Sequence, residues 1–135
     1  MKALTISQPF ASLIASGEKG VENRRWPTRH RGPIAIHAGK GTQYLTRLAL
    51  ADYPTGCVIA IAQLVACVRW DDLTAERQPA MRALFDAGVL PNDVIWHEYT
   101  EGPWCWVLRG VCRIKPVKCA GMPGLWEWDN DASGT

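Results

Sequence analysis

The twelve residues from Cys57 to Val68 constrain the fold more than any others. They read Cys-Val-Ile-Ala-Ile-Ala-Gln-Leu-Val-Ala-Cys-Val, without a charge and with Gln63 as the one strongly polar side chain. A β-branched run of this kind is the pattern of a strand covered on both faces, at the centre of a sheet. It is too short to span a membrane, and so is every other apolar run in the chain. The remaining apolar segments are shorter and supply the neighbours of this strand. Leu4-Thr5-Ile6, Val21 to Trp26, Pro33 to Ala38, Pro103 to Arg109 continued by Val111 to Lys115, and Leu125 to Trp128 all read as strands.

Short helices separate them. Pro9 opens a helix over residues 9–16, with Phe10, Leu13 and Ile14 at helical spacing. Tyr44 to Ala51 predicts a second helix. Pro79 to Ala87 predicts a third, with Met81, Leu84 and Phe85 on one face. Asp71-Asp72-Leu73-Thr74 and Pro116 to Gly124 read as turns, and Pro91 to Gly102 as a polar loop. Strands and helices do not alternate as in a doubly wound fold. The class expected is α+β: a small mixed β-barrel flanked by two or three short helices. With 135 residues, 47% of them hydrophobic, the chain suits a single domain over residues 1–128. Residues 129–135 are small and polar, and are expected to fray.

The formal charge is +2, but it is unevenly spread. Residues 1–47 carry eight Lys/Arg against Glu18 and Glu22, a net +6; the rest carries seven against eleven, a net −4. A basic segment on a near-neutral chain suits an anionic ligand. The five cysteines are odd in number, form no Cys-x-x-Cys and sit mostly in apolar strands. They read as small buried hydrophobes rather than a disulfide framework. His30, His37 and His97 complete no zinc pattern, and neither metal nor cofactor is expected. The opening Met1 to Pro9 has no signal-peptide core, so a cytoplasmic location is expected.

The densest chemistry lies in Gly17-Glu18-Lys19-Gly20-Val21-Glu22-Asn23-Arg24-Arg25-Trp26. Read as a strand, Val21–Trp26 puts Glu22, Arg24 and Trp26 on one face, with Lys19 at its mouth. Lys19 and Arg24 suit a phosphate or carbonyl, Arg being the better fork. Glu22 suits an exocyclic amine, and Trp26 is either a base-stacking platform or a core aromatic. A carboxylate beside Lys19 and Arg24 is expected to have a lowered pKa and to keep Lys19 charged, which favours binding over base catalysis. Arg25, Arg29 and Arg31 suit a nucleic-acid backbone. His37 shares its strand face with Ala35 and is either a cleft residue or half-buried packing. Lys40 follows Gly39 within reach of an anion, although Gly39-Lys40-Gly41 lacks P-loop spacing. Trp96-His97-Glu98-Tyr99 forms an aromatic group in a loop able to cover a cleft.

Leu4-Thr5-Ile6-Ser7-Gln8-Pro9-Phe10-Ala11-Ser12-Leu13, followed by Gly17-x-Lys19-x-x-Glu22-x-Arg24-x-Trp26, resembles the ASCH domain of the PUA-like superfamily. G-x-K-x-x-E-x-R is that family's hallmark. Trp26-x-Thr28-x-His30-Arg31-Gly32, Gly102-x-Trp104-x-Trp106-Val107-Leu108 and Gly124-Leu125-Trp126 extend the likeness. Phe10 stands where relatives commonly have tryptophan. The resemblance implies a PUA-like β-barrel whose cleft, beside the first helix, binds RNA or other nucleic acid. Ligand contacts would fall on Gln8, Lys19, Glu22, Arg24, Trp26, Arg31, His37 and Lys40. Some relatives are amidohydrolases on N4-acetylcytidine, and one branch is associated with ribonuclease activity. The amidohydrolases use a lysine, a threonine three residues later and a glutamate further on. Here Lys19 matches, Glu22 occupies the threonine position, and Gln63 is the only polar group on the later strand. Were the chain a hydrolase, Lys19 and Glu22 would be its catalytic groups, with Glu22 activating water and Lys19 stabilising the oxyanion. The partner expected is RNA, another nucleic acid or a modified nucleoside. An amidohydrolase and a protein-interaction module of a transcription or translation regulator remain alternatives.

Overall fold

The computed structural model describes residues 1–95 and 100–129. The aromatic group 96–99 and the tail 130–135 lie outside the described residues. Six strands form one sheet: β1 (Lys2–Ile6), β2 (Val21–Arg24), β3 (Gly32–Ala38), β4 (Cys57–Arg69), β5 (Trp104–Lys118) and β6 (Leu125–Glu127), in the order β2-β5-β4-β3-β1-β6. The helices are α1 (Phe10–Ala15), α2 (Trp70–Thr74) and α3 (Gln78–Asp86). The sheet is mixed and the helices are short, as the α+β reading expects. β4 is the uncharged run, and it sits inside the sheet between β5 and β3.

The chain divides into two compact units, and β4 and β5 each contribute to both. The first holds residues 1–16, 33–62 and 111–135. In it β1 runs parallel to β3, with Leu4 opposite Ile36 and Thr5 opposite His37, and antiparallel to β6, with Ala3 opposite Trp126. Ala3, Ala35 and Val58 pack under Trp126 and Trp128, joined by Ile114 and Val117. The second unit holds residues 17–32 and 63–110. There β2 pairs antiparallel with β5, Glu22 opposite Trp106 and Arg24 opposite Trp104. Its core gathers Val21, Val68, Leu73, Leu84 and Val107.

Four local expectations are corrected. Tyr44 to Ala51 is not an α-helix; a 3-10 helix runs over Arg47–Asp52 and buries nothing, with Leu48 94% exposed. The apolar spacing was present, yet it does not seat the segment on the core: Tyr44 meets Phe10 edge-on while Leu48 is left in solvent. Asp71 to Thr74 is helical within α2, where Asp71 and Asp72 occupy the first turn and complement the helix dipole. On α3 the buried residues are Ala80 and Leu84, whereas Phe85 is exposed. Finally, Pro116 does not end β5. The Cys119 N–H donates to Gly56 O at 3.1 Å. Alternation then turns the nitrogen position of Pro116 away from β4, to the side where β2 pairs only residues 104–107. A proline is tolerated on such an open edge because no ladder bond is lost.

Candidate functional site

The second unit builds a buried ionic cluster from the charged stretch. Lys19 lies just before β2 and is only 2% exposed. Its ammonium donates to Val21 O and lies 3.8 Å from Glu22 Oε1. Glu22 Oε2 takes Arg24 Nη2 at 3.2 Å, and Oε1 accepts the Asn23 N–H at 3.2 Å. Both carboxylate oxygens are therefore engaged from within. Asn23 ties the cluster to Glu101: its Nδ2 donates to Glu101 O and its Oδ1 accepts the Glu101 N–H at 3.0 Å. Beneath them the Cys105 thiol donates to Glu101 O at 3.4 Å.

Burial decides the electrostatics here. It pushes the Glu22 carboxyl up from its ordinary value, against the opposing pull of Arg24 and Lys19. It likewise holds the Lys19 ammonium down, against Glu22, Cys105 and Glu101. The Cys105 thiol is pushed up to about 11 by burial, despite Lys19. The expected directions for Glu22 and Lys19 are thus reversed. Neighbouring charges act as expected, but loss of water outweighs them.

After Arg24 the strand ends and the chain bends, so strict alternation stops. Arg25 and Trp26 are exposed beyond it. The Trp26 ring packs edge-on to the fully buried Trp106, centroids 4.9 Å apart at 81°, and Trp106 Nε1 donates to Trp26 O at 3.2 Å. Trp26 is thus anchored on Trp106 and still 37% exposed. A cavity of about 350 Å³ opens between Asn23, Arg24, Arg25, Trp26, Glu101 and Gly102. That volume is in the range of small-molecule sites. Arg24 spans the two environments, with its guanidinium held by buried Glu22 while the residue lines the cavity.

The structure thus brings together Lys19, Glu22, Arg24 and Trp26. Arg31 donates from Nη1 to Thr28 O and His30 O, closing its own loop. Three predicted residues belong to the first unit. Gln8 is fully buried; its Nε2 donates to Ser12 Oγ and Pro54 O, both at 2.8 Å, and its Oε1 accepts the Ser12 N–H. His37 is 1% exposed. Its Nε2 donates to Cys119 O at 2.8 Å, and its Nδ1 shares a hydrogen bond with Thr5 Oγ1, which accepts from Trp126 Nε1. Both side chains are consumed by internal bonds. Lys40 is exposed. Sequence reasoning missed Asn23, Glu101 and Gly102 as lining residues. Glu101 and Gly102 lie almost eighty positions from β2 and only the β2–β5 pairing brings them in. Asn23 falls on the opposite parity to the face that was followed.

A mixed sheet of six strands with short helices, carrying this motif at the start of its second strand, defines a PUA-like α+β protein. The chain belongs to the ASCH domain family, whose model matches residues 4–117. The family is one associated with RNA binding. The chain is 36% and 33% identical to Activating signal cointegrator 1 of Mus musculus and of Homo sapiens, over 48% of its own length. It spans only 14% of the length of those relatives. Among solved structures it is similar to an ASCH protein from Zymomonas mobilis and to a point mutant of it. Both are 26% identical, with 87% of this chain and 72% of that one covered, at TM-scores of 0.49 and 0.50. Among the described residues no helix is long and apolar enough to cross a membrane.

Proposed function

We propose that this chain binds RNA, taking a base into the cavity beside Trp26 and a phosphate on Arg24 and Arg25. The observation that carries the reading is the cavity wall itself: Arg24, Arg25 and an exposed, anchored Trp26 among the residues around about 350 Å³. Arg24 is oriented in advance by Glu22, so less side-chain freedom is lost on binding. Trp26 presents a π surface that any base can stack on. Titration of labelled single-stranded RNA, followed by fluorescence anisotropy, tests this. Trp26→Ala is expected to weaken binding by about 1–3 kcal/mol, the usual worth of one stacked base. Arg25→Ala is expected to reduce the slope of log affinity against log salt by about 0.7, the loss of one phosphate contact on a single strand. If both variants bind as the parent does, the cavity is not the RNA site.

One observation favours hydrolysis as a second reading. Burial lifts the Glu22 carboxyl, which makes it a better base than its neighbours alone would allow. Against this, Glu22 is 7% exposed and both its oxygens are bonded within the protein. Incubation with N4-acetylcytidine, followed by chromatography for cytidine, separates the two. The expected outcome is no product; turnover abolished by Lys19→Ala would put hydrolysis first.

A further inference from the structure

Three segments of the first unit meet at one end of its strands. Gly56, just before β4, donates its N–H to Ala38 O at 2.7 Å and accepts the Cys119 N–H at 3.1 Å. It therefore bridges the end of β3 to the end of β5. Gly56 also has φ +67°, and a Cβ there would stand 3.1 Å from Lys40 Cε. The missing side chain lets the Lys40 stem lie along this corner. Lys118 directly precedes Cys119 and Lys40 lies two residues beyond Ala38, so both lysines adjoin the residues that Gly56 bonds. Arg113 and Lys115 lie further back along β5, and all four residues are exposed.

Three other cations on the surface have carboxylate partners. Lys2 has Glu127 at 2.9 Å, Arg77 has Asp72 at 3.4 Å and Arg82 has Asp86 at 3.2 Å. Among the described residues, no carboxylate pairs with Lys40, Arg113, Lys115 or Lys118. Gathering like charges without a counterion is unfavourable unless an external anion relieves it. The outer edge of β5 also argues about the partner. Pro116 removes a backbone donor from that edge, and lysines discourage strand addition there. An extended peptide would lose part of its ladder, whereas a phosphate chain needs only the side-chain charges.

We infer that Lys40, Arg113, Lys115 and Lys118 form a second contact surface for the phosphate backbone of RNA, separate from the Trp26 cavity. The inference rests on RNA being the ligand. It adds a surface that recognises charge and not bases. Its test is a salt titration of the full chain with labelled oligo(U). The variant carries Lys40→Gln, Arg113→Gln, Lys115→Gln and Lys118→Gln together, beside Trp26→Ala. A control with Lys40→Arg, Lys115→Arg and Lys118→Arg keeps the charge. All substituted positions are exposed, and thermal melting checks that each variant folds.

The expected result is a salt slope lower by about 3 in the glutamine variant, from about 0.7 per phosphate contact. The arginine control should keep the parent slope. Trp26→Ala should weaken binding while leaving the slope unchanged. An unchanged slope in the glutamine variant, with Trp26→Ala still weakened, overturns this inference and leaves the cavity reading standing. A reduced slope with no effect of Trp26→Ala supports the surface and removes the cavity. Loss of binding to poly-glutamate alone, with oligo(U) binding intact, also overturns the inference, in favour of an acidic protein segment. Absence of any oligo(U) binding by the parent overturns both.

Discussion

Among the described residues, each unit of this molecule buries a polar cluster around a predicted site residue, His37 in one and Glu22 in the other, and these two are built on opposite principles. In the first unit the Trp126–Thr5–His37–Cys119 chain is held together by hydrogen bonds, with His37 at its centre 1% exposed. In the second, Lys19, Glu22 and Arg24 are held together by charge and end at a cavity. A buried hydrogen-bonded network of this kind rigidifies the fold. A charged one is costly to bury, and its third member remains partly in solvent, 24% exposed at the side chain. The difference shows which of two buried polar clusters in one fold to examine for binding: the one whose last member faces outward. His37 and Glu22 are about equally buried, so burial alone does not separate them.

The comparison breaks most visibly through Glu22→Ala. That change leaves Lys19 and Arg24 without their carboxylate in a buried setting. A loss of about 3 kcal/mol in urea unfolding is expected, near the lower end for a broken buried pair because Arg24 reaches solvent. RNA binding should fall as well, since Arg24 loses its orientation. A loss below 1 kcal/mol would mean the cluster is more hydrated than its burial indicates.

His37→Leu should cost about 1–3 kcal/mol, because Cys119 O and Thr5 are left without their partner. Here RNA binding should not change. Weakened RNA binding in a variant that still melts cooperatively would return His37 to the site and dissolve the contrast.

The smallest effect is the pH dependence, and it has a definite sign. The folded state holds the Glu22 proton more tightly than the unfolded chain does. Its contribution is full below the ordinary 4.5 and is lost as pH rises through the raised folded value. Lys19 acts oppositely: its ammonium is easier to deprotonate when folded, so stability is regained as pH climbs toward the ordinary 10.5. Unfolding of the parent and of Glu22→Gln, compared across pH, should diverge as pH rises from 4.5 through the raised value, the parent losing stability that the glutamine variant keeps. Identical profiles would show that burial does not govern the pair.

Much of this was legible in the sequence, for identifiable reasons. β4 declared itself by an uncharged β-branched run, and α1 by Pro9 with apolar spacing behind it. The Lys19, Glu22 and Arg24 association followed from spacing on one short strand. What failed depended on facts that no local pattern holds. The stripe at Tyr44 to Ala51 predicted a helix, but spacing cannot say whether a surface awaits it. Pro116 signalled a turn because its place at an open edge depends on how far β2 extends. The titration of Glu22 and Lys19 was read backwards because the sequence names neighbouring charges and says nothing of how much water is removed. Glu101 and Gly102 entered the cavity only through strand pairing.

The exposed 3-10 stretch before β4 has a consequence for descent. A segment whose residues touch no core places no demand on its own letters, and Leu48 could be almost anything. Its far end is pinned by the Gln8 bond to Pro54 O, so what happens between is not transmitted to the strands. Related chains are free to diverge there, to lengthen, or to acquire a graft, while the Gln8 bond to Pro54 O holds the far end.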